Sequence, residues 1–321
     1  MPHLPLDRIL RGDALKVLQR LPSESIDCVV TSPPYWALRD YGVKGQLGLE
    51  STFHEYMDKL CAVFDEVRRV LKPAGTCWVN MGDTYSSSMK GGGSLNVRGD
   101  GLYDRLRQRA GFDPVKLKTG LPPKTLCQIP SRFAIAMTDR GWILRNEIIW
   151  WKPNCMPQSA RDRFTVDFEK VFFFVKSRRY YFKQQYEEVK DKARLERRLF
   201  DPKAKRKRVY GDLRIAAINP KTVEASRQRM LKFGRRKRSV WRIAVRPYPE
   251  AHFAVYPPEL AETPIKAGCP EGGIVLDPFM GSGTTSLVAQ RLGRHFVGIE
   301  LNPEYVRLAR QRLRCMSRTL D

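Results

Sequence analysis

Residues 274–285, IVLDPFMGSGTT, constrain the fold of this chain more than any other stretch. A short apolar run delivers an acid at its end, Gly281-Ser282-Gly283 turns the backbone, and SLVAQRLG continues at helical spacing, so the segment reads as strand, glycine turn, helix. HFVGIELN supplies the next strand, and PEYVRLARQRLR a terminal helix opened by Pro303. The same alternation runs through the first half of the chain. DRILRGD (7–13) reads as a strand, ALKVLQRL (14–21) as a helix with Leu15, Leu18 and Leu21 on one face, and SIDCVV as a second strand. EYMDKLCAVFDEVRRVL (55–71) is a helix that stops at Lys72-Pro73-Ala74-Gly75, and TCWVNM (76–81) is a third strand. SRFAIAMTDRGW fits a further helix; ILRNEIIWW and FEKVFFFVKS fit two strands close enough in the chain to be antiparallel neighbours at a sheet edge. Strands alternating with helices imply an α/β architecture around a mostly parallel sheet.

The glycine turn also carries chemistry. Backbone approaches a ligand closely at such a turn, and the helix behind it aims its first N–H groups at the same place. Glu300 closes the next strand, 17 residues beyond Gly283, where a carboxylate can hold a ribose diol. No Lys follows the glycines and the pattern is not GxGxxG, which disfavours ATP or GTP. A cofactor with a ribose, an adenine and a carboxylate in place of phosphates fits better.

Charge points to the partner. The chain of 321 residues has 58 Lys and Arg against 34 Asp and Glu, a net charge of +24, which favours a polyanion, nucleic acid ahead of an anionic membrane surface. The excess is local: Lys176 to Arg246 holds 25 Lys or Arg against 7 Asp or Glu, including KAKRKR (203–208) and RRKR (235–238), with aromatic residues between them. That mixture suits a surface that tracks phosphates. SSSMKGGGSLNVRGDG (86–101) lacks apolar periodicity and reads as a mobile loop. No apolar stretch approaches the roughly 18 residues of a membrane span and MPHLPLDRIL lacks a signal-peptide core, so a cytoplasmic protein is expected. Seven cysteines stand singly without a CxxC pair, which argues against a metal site or a disulfide framework.

VVTSPPYWALRD (29–40) places Thr31, Ser32, Pro33, Pro34, Tyr35 and Trp36 behind an apolar run. A strand followed by a Pro-rich turn with buried aromatics would look the same. Together with DPFMGSGTT, however, TSPPYW resembles the β-class of S-adenosylmethionine-dependent DNA amino-methyltransferases, in which the target-amine motif precedes the cofactor motif. The resemblance extends over Gly12-Asp13, NEIIWWKPNCMPQSARDRF (146–164), KRSVWRI (237–243), HFAVYPPEL (252–260) and VGIE (297–300), in family order.

The resemblance implies a seven-stranded, mostly parallel Rossmann-like sheet with helices on both faces and a circularly permuted motif order. Residues 1–175 would form the first part of the catalytic domain, 176–246 a basic target-recognition region, and 247–321 the second catalytic part. Carried over by motif, Asp277, Phe279, Gly281, Gly283, Thr284 and Thr285 would shape the methionine side of an S-adenosylmethionine pocket. Glu300 would hold the ribose, Asp13 would lie near the adenine, and His252 and Phe253 are candidates for the pocket wall. Duplex DNA is the implied partner, met by Lys205, Arg206, Lys207, Arg208, Arg235, Arg236, Lys237 and Arg238, with a restriction endonuclease as a counterpart.

An exocyclic base amine is a poor nucleophile because its lone pair is delocalised into the ring. The Ser32 hydroxyl oxygen and the Pro33 carbonyl oxygen would accept from its hydrogens and draw the nitrogen toward tetrahedral geometry, with Pro33 and Pro34 holding the corner still. Tyr35 would stack on a base rotated out of the duplex, with Trp36 extending the platform. Serine in the first motif position resembles the cytosine-N4 enzymes. Adenine N6 remains the alternative target, and a non-catalytic nucleic-acid binder on a methyltransferase scaffold is the competing class; an RNA or protein methyltransferase would share the cofactor turn but not the motif order.

Overall fold

The computed structural model describes residues 4–38, 41–86, 119–158, 160–189, 191–200, 220–245 and 256–317. The loop expected at 86–101 lies outside the described residues apart from Ser86, as do Lys205, Arg206, Lys207, Arg208, His252 and Phe253. The chain divides into two compact units, Met1–Lys183 with Ser239–Asp321, and Gln184–Arg238.

The first unit is built on one sheet. Its strands are β1 (Arg8–Arg11), β2 (Ile26–Thr31), β3 (Leu71–Met81), β4 (Ile143–Trp151), β5 (Phe168–Val175), β8 (Val240–Arg242), β9 (Ile274–Asp277) and β10 (His295–Glu300). They lie in the order β1-β10-β9-β2-β3-β5-β4-β8. Every neighbouring pair is parallel except the two made by β5. The expected antiparallel neighbours, β4 and β5, pair along their length from Ile143↔Val175 to Trp151↔Phe168. Two details differ from expectation. The sheet has eight strands rather than seven, and the β4–β5 pair is not its rim, because β8 adds beside β4 through Ile149↔Val240 and Trp151↔Arg242. Three residues in a basic stretch are too short to show an alternation of polarity.

Both faces of the sheet are covered, which is why its strands read as continuous apolar runs. Val29, Val79, Phe172 and Phe174 point into one core layer, and Cys28, Val30, Trp78, Phe173 and Val175 into the other. The first layer is closed by α1 (Ala14–Leu18), α2 (Phe53–Val70) and α3 (Ile129–Asp139). The α2 helix starts where the Thr52 hydroxyl accepts from the Glu55 N–H, the first half of a capping box. It ends at Val70 because Pro73 disfavours helical geometry at Lys72. The second layer is closed by α6 (Pro258–Gly268) and α7 (Thr284–Arg291). The α6 helix was not anticipated; Pro257, Pro258 and the internal Pro264 obscure its apolar face, which buries Leu260, Ala261 and Ile265. The terminal α8 (Pro303–Ser317) packs on α7, β1 and β10, and the chain's first strand pairs with its last.

The second unit pairs β6 (Tyr186–Glu187) with β7 (Arg235–Arg236) and contains α4 (Lys192–Phe200) and α5 (Pro220–Phe233). Tyr186 stacks on Phe233 with ring centroids 5.4 Å apart. Gly234 sits at φ +90°, and a Cβ there would lie 2.2 Å from the Glu187 carbonyl oxygen, so only glycine closes this turn. Among the described residues no helix is long and apolar enough to cross a membrane.

Candidate active site

Strand order locates the site. From β9 the chain crosses through α7 to β10 on one side, whereas from β2 it crosses through α2 to β3 on the other, so connections diverge between β9 and β2. A crevice opens at the carboxyl ends of strands flanking such a switch point. TSPPYW leaves the end of β2 and DPFMGSGTT leaves the end of β9, and the two strands pair through Cys28↔Val275 and Val29↔Leu276.

Hydrogen bonds lock the two segments together. The Thr31 hydroxyl donates to Asp277 Oδ1 at 2.6 Å, the Thr285 hydroxyl to Asp277 Oδ2 at 2.5 Å, and the Phe279 N–H to Oδ1 at 3.1 Å. Tyr256 joins the cluster through a hydroxyl contact with Thr285. Asp277 is only 2% exposed. Burial pushes its carboxyl up to about 6, although the bonds from Thr285 and Thr31 oppose that shift. Asp277 and Thr285 thus spend their polar atoms on joining the segments. Thr284 is buried beside them, and Arg312 of α8 donates to the Ser282 carbonyl and hydroxyl, both at 2.7 Å, bracing the turn from behind.

The glycine turn has the geometry of a cradle. Gly281 and Gly283 adopt φ +54° and +85°, and nothing lies within 4 Å of where a Cβ on Gly281 would stand. Glu300 Oε2 accepts from the Gly281 N–H and Oε1 from the Asn302 N–H, each at 2.7 Å. Each oxygen keeps a further lone pair, so a diol can still bind the carboxylate. Burial raises Glu300 above the ordinary glutamate range, against the lowering effect of those two N–H groups. Gly12 N–H donates to the Glu300 carbonyl at 3.0 Å, which sets Asp13 beside the end of β10; its Oδ1 accepts from Lys16 N and caps α1. Phe279 lies half-buried against the α2 layer. Open space at a glycine turn, a half-buried carboxylate at its edge and a second acid beside the end of β10 suit the ribose and adenine of a nucleoside.

At the end of β2 the Pro-Pro corner is fixed from outside. Tyr56 of α2 donates its hydroxyl to the Pro34 carbonyl at 2.8 Å. Among the described residues no hydrogen-bond donor is assigned to the Pro33 carbonyl. Ser32 is half-buried, and its hydroxyl donates to the Tyr35 oxygen at 3.2 Å. Tyr35 covers Gly82, where a Cβ would lie 2.7 Å from the ring, and its hydroxyl donates to Glu169 Oε2 at 2.6 Å. Glu169 is also held by Asn80 and by the Lys152 ammonium. Trp36 departs from expectation. It is 1% exposed, sits edge-on to Phe53 and donates its indole N–H to the Glu50 carbonyl at 2.9 Å, so it is core and offers no platform to a base.

Sequence reasoning missed Thr31, Asn80, Tyr56, Tyr256, Glu169, Lys152 and Arg312. Thr31 and Lys152 lie inside motifs that were singled out, and Tyr256 inside HFAVYPPEL. Glu169, the second residue of FEKVFFFV, looks like an ordinary strand-end charge. Of the basic candidates, Arg235 and Arg236 form β7 and are exposed, the Lys237 N–H donates to the Gln185 carbonyl, and Arg238 pairs with Glu187 at 3.0 Å.

Known proteins resemble the chain throughout. A family model for N6/N4 methyltransferases, described as DNA methylase, matches residues 26–311. The Type II methyltransferase M.SmaI of Serratia marcescens is 42% identical over 306 residues, spanning 95% of this chain and 90% of its own length. M.Cfr9I of Citrobacter freundii is 39% identical over 306 residues, 95% and 87% of the two chains. Among solved structures, the PvuII DNA methyltransferase, described as cytosine-N4-specific, superposes with a TM-score of 0.58 at 23% identity, over 95% of this chain and 85% of that one. A Thermus thermophilus protein described as a candidate DNA modification methylase, solved with S-adenosyl-L-methionine, gives 0.56 at 24%, over 95% and 92%. At such identities the structural likeness is one of fold.

Proposed function

The chain belongs to the N6/N4 family of DNA methylases, and we propose that it methylates the exocyclic N4 amine of a cytosine rotated out of a specific duplex sequence. It is a site-specific DNA methyltransferase, and S-adenosylmethionine is its cofactor. A restriction endonuclease of matching specificity would be its counterpart, in keeping with relatives named Type II methyltransferases.

The observation that carries the reading is the 2.6 Å bond from Thr31 to Asp277, which joins the target-amine corner to the glycine turn. When bound, the cofactor supplies an electrophilic methyl group. Glu300, with Asp13, would hold its nucleoside part, and Asp277, Phe279, Gly281, Gly283, Thr284 and Thr285 would shape the methionine side. The Ser32 hydroxyl oxygen and the Pro33 carbonyl would accept from the amine hydrogens and orient its lone pair; a fixed acceptor pair lowers the barrier by preorganisation. Pro33 and Pro34 keep that carbonyl in place, with Tyr56 bracing the corner. Tyr35 would bound the base pocket, and the Gln184–Arg238 unit with its flanking basic residues would bind phosphates and read base edges.

Serine at position 32, a neutral acceptor where an acid or amide is the alternative, favours cytosine over adenine. Total DNA from a host expressing the protein should contain N4-methylcytosine in one sequence context. N6-methyladenine in its place would overturn the choice of base, and unmodified DNA would overturn the enzyme.

A further inference from the structure

Ser32 can accept from a substrate amine only if its own proton points elsewhere, and the fold provides the place. The Ser32 hydroxyl donates to the Tyr35 oxygen at 3.2 Å, and the Tyr35 hydroxyl donates to Glu169 Oε2 at 2.6 Å. The Asn80 amide donates to the Tyr35 oxygen at 2.6 Å and to Glu169 Oε2 at 2.7 Å. With two donors on it, the phenol oxygen has no lone pair to spare, and its single proton goes to the carboxylate. Lys152 holds the other carboxylate oxygen, in a pair whose side chains are 19% and 16% exposed. An ionised carboxylate only accepts, so it fixes the direction of every hydroxyl leading to it. Burial and the Glu169 charge push the Tyr35 phenol well above its ordinary value, which keeps that proton in place as a donor.

We propose that Glu169, acting through Tyr35, is a positioning residue that turns the Ser32 lone pairs toward the target amine and takes up the proton the amine must lose. The inference rests on the reading of Ser32 as the amine's acceptor. As the amine lone pair forms the N–C bond, the methyl group's bond to its leaving group breaks with the electron pair staying on that group. The electrons of one N–H bond return to nitrogen. The amine proton passes to Ser32 Oγ, the Ser32 proton to the Tyr35 oxygen, and the Tyr35 proton to Glu169 Oε2. The carboxylate becomes a neutral acid and later releases the proton to water. Apo hydrogen bonds in such chains tighten when substrate arrives, so the 3.2 Å link is short enough to serve.

The test compares wild type with Glu169→Gln, Glu169→Asp, Tyr35→Phe and Ser32→Ala, using unmethylated phage DNA and S-adenosylmethionine. Single-turnover methylation is measured in H2O and D2O. Binding of DNA and of cofactor is measured separately by gel shift and calorimetry. Glu169→Gln and Tyr35→Phe should each slow methylation about 10- to 100-fold while both affinities stay within about twofold. Both should lose the solvent isotope effect shown by wild type, and Glu169→Asp should recover part of the rate. Should Glu169→Gln fail to fold, Tyr35→Phe, which deletes a single oxygen, carries the test alone. Wild-type rates in Glu169→Gln and Tyr35→Phe, or losses that merely follow binding, would overturn the relay. If Ser32→Ala is inactive while Glu169→Gln is normal, only the relay fails; if Ser32→Ala keeps the full rate, the reading of Ser32 fails and the relay with it.

Discussion

Replacing Asp277 by Asn isolates what a buried charge costs this fold. Burial lifts the Asp277 carboxyl from 3.8 to about 6. An acid whose folded-state value is raised holds its proton more tightly in the folded chain than in the unfolded one. Its contribution to stability is therefore complete below about pH 4 and is lost as pH rises through about 6. At about 1.4 kcal/mol per unit, the loss reaches about 3 kcal/mol at neutral pH. Asn carries no such penalty. Its oxygen can take the Thr31 hydroxyl and the Phe279 N–H, and its amide can donate to Thr285, whose own proton has the Val30 carbonyl at 3.3 Å as an outlet. From about pH 4.5 to pH 7.5 the stability of the variant relative to wild type should rise by about 2 kcal/mol. Urea unfolding followed by tryptophan fluorescence at several pH values measures that difference. A difference that stays constant across the range would refute the assignment of a raised carboxyl to Asp277.

Four further outcomes are expected. Gly281→Ala should cost about 1 kcal/mol of stability for its left-handed backbone yet weaken cofactor binding in calorimetry; Gly283→Ala, whose Cβ would press on Met280 and Ala309 at 3.0 and 3.1 Å, should cost more, about 2 to 3 kcal/mol in thermal unfolding. Replacing Lys205, Arg206, Lys207 and Arg208 together by Ala should weaken DNA binding and flatten the slope of log affinity against log salt by up to about 3.6, at about 0.9 per phosphate contact; an unchanged slope removes these residues from the interface. Trp36→Phe should cost about 1 to 3 kcal/mol through the lost indole bond and packing while DNA affinity stays as it was, and a large loss of affinity at unchanged stability would return Trp36 to the base pocket.

Most of the sheet was legible because strands covered on both faces leave long apolar runs that the eye separates from helical spacing. ILRNEIIWW coincides with β4, and the end of IVLD coincides with the end of β9. The stretches that escaped share a physical cause. The three residues of β8 show no period, and the prolines of α6 argue locally against the helix that tertiary packing stabilises. The same division runs through the site. Ser32, Gly281 and Glu300 stand where a local motif announces them. Glu169 is recruited by pairing alone: β5 lies antiparallel to β3, and Val171 opposite Asn80 brings the strand's acidic end beside Asn80 and Tyr35. No window of sequence carries that information, since it depends on which strands become neighbours.

Trp36 shows the converse error. An aromatic beside the Ser32–Pro33–Pro34 corner invites a role in stacking, yet the chain turns at Ala37, with φ +63°, and drives the indole inward onto Phe53. Burying the ring anchors the corner that Tyr56 already holds at Pro34, so Ser32 and Pro33 sit on a rigid support rather than on a free loop. On the proposed reading of Ser32 and Pro33 as acceptors for the target amine, that rigidity matters because acceptors already in position spare the reaction any reordering that would add to the barrier. The same reasoning applies across the crevice, where a buried carboxylate joins residues 246 positions apart in the chain. The expected stability cost of Asp277 at neutral pH goes with a bond that ties the Ser32–Pro33 corner, through Thr31, to the Gly281–Gly283 turn.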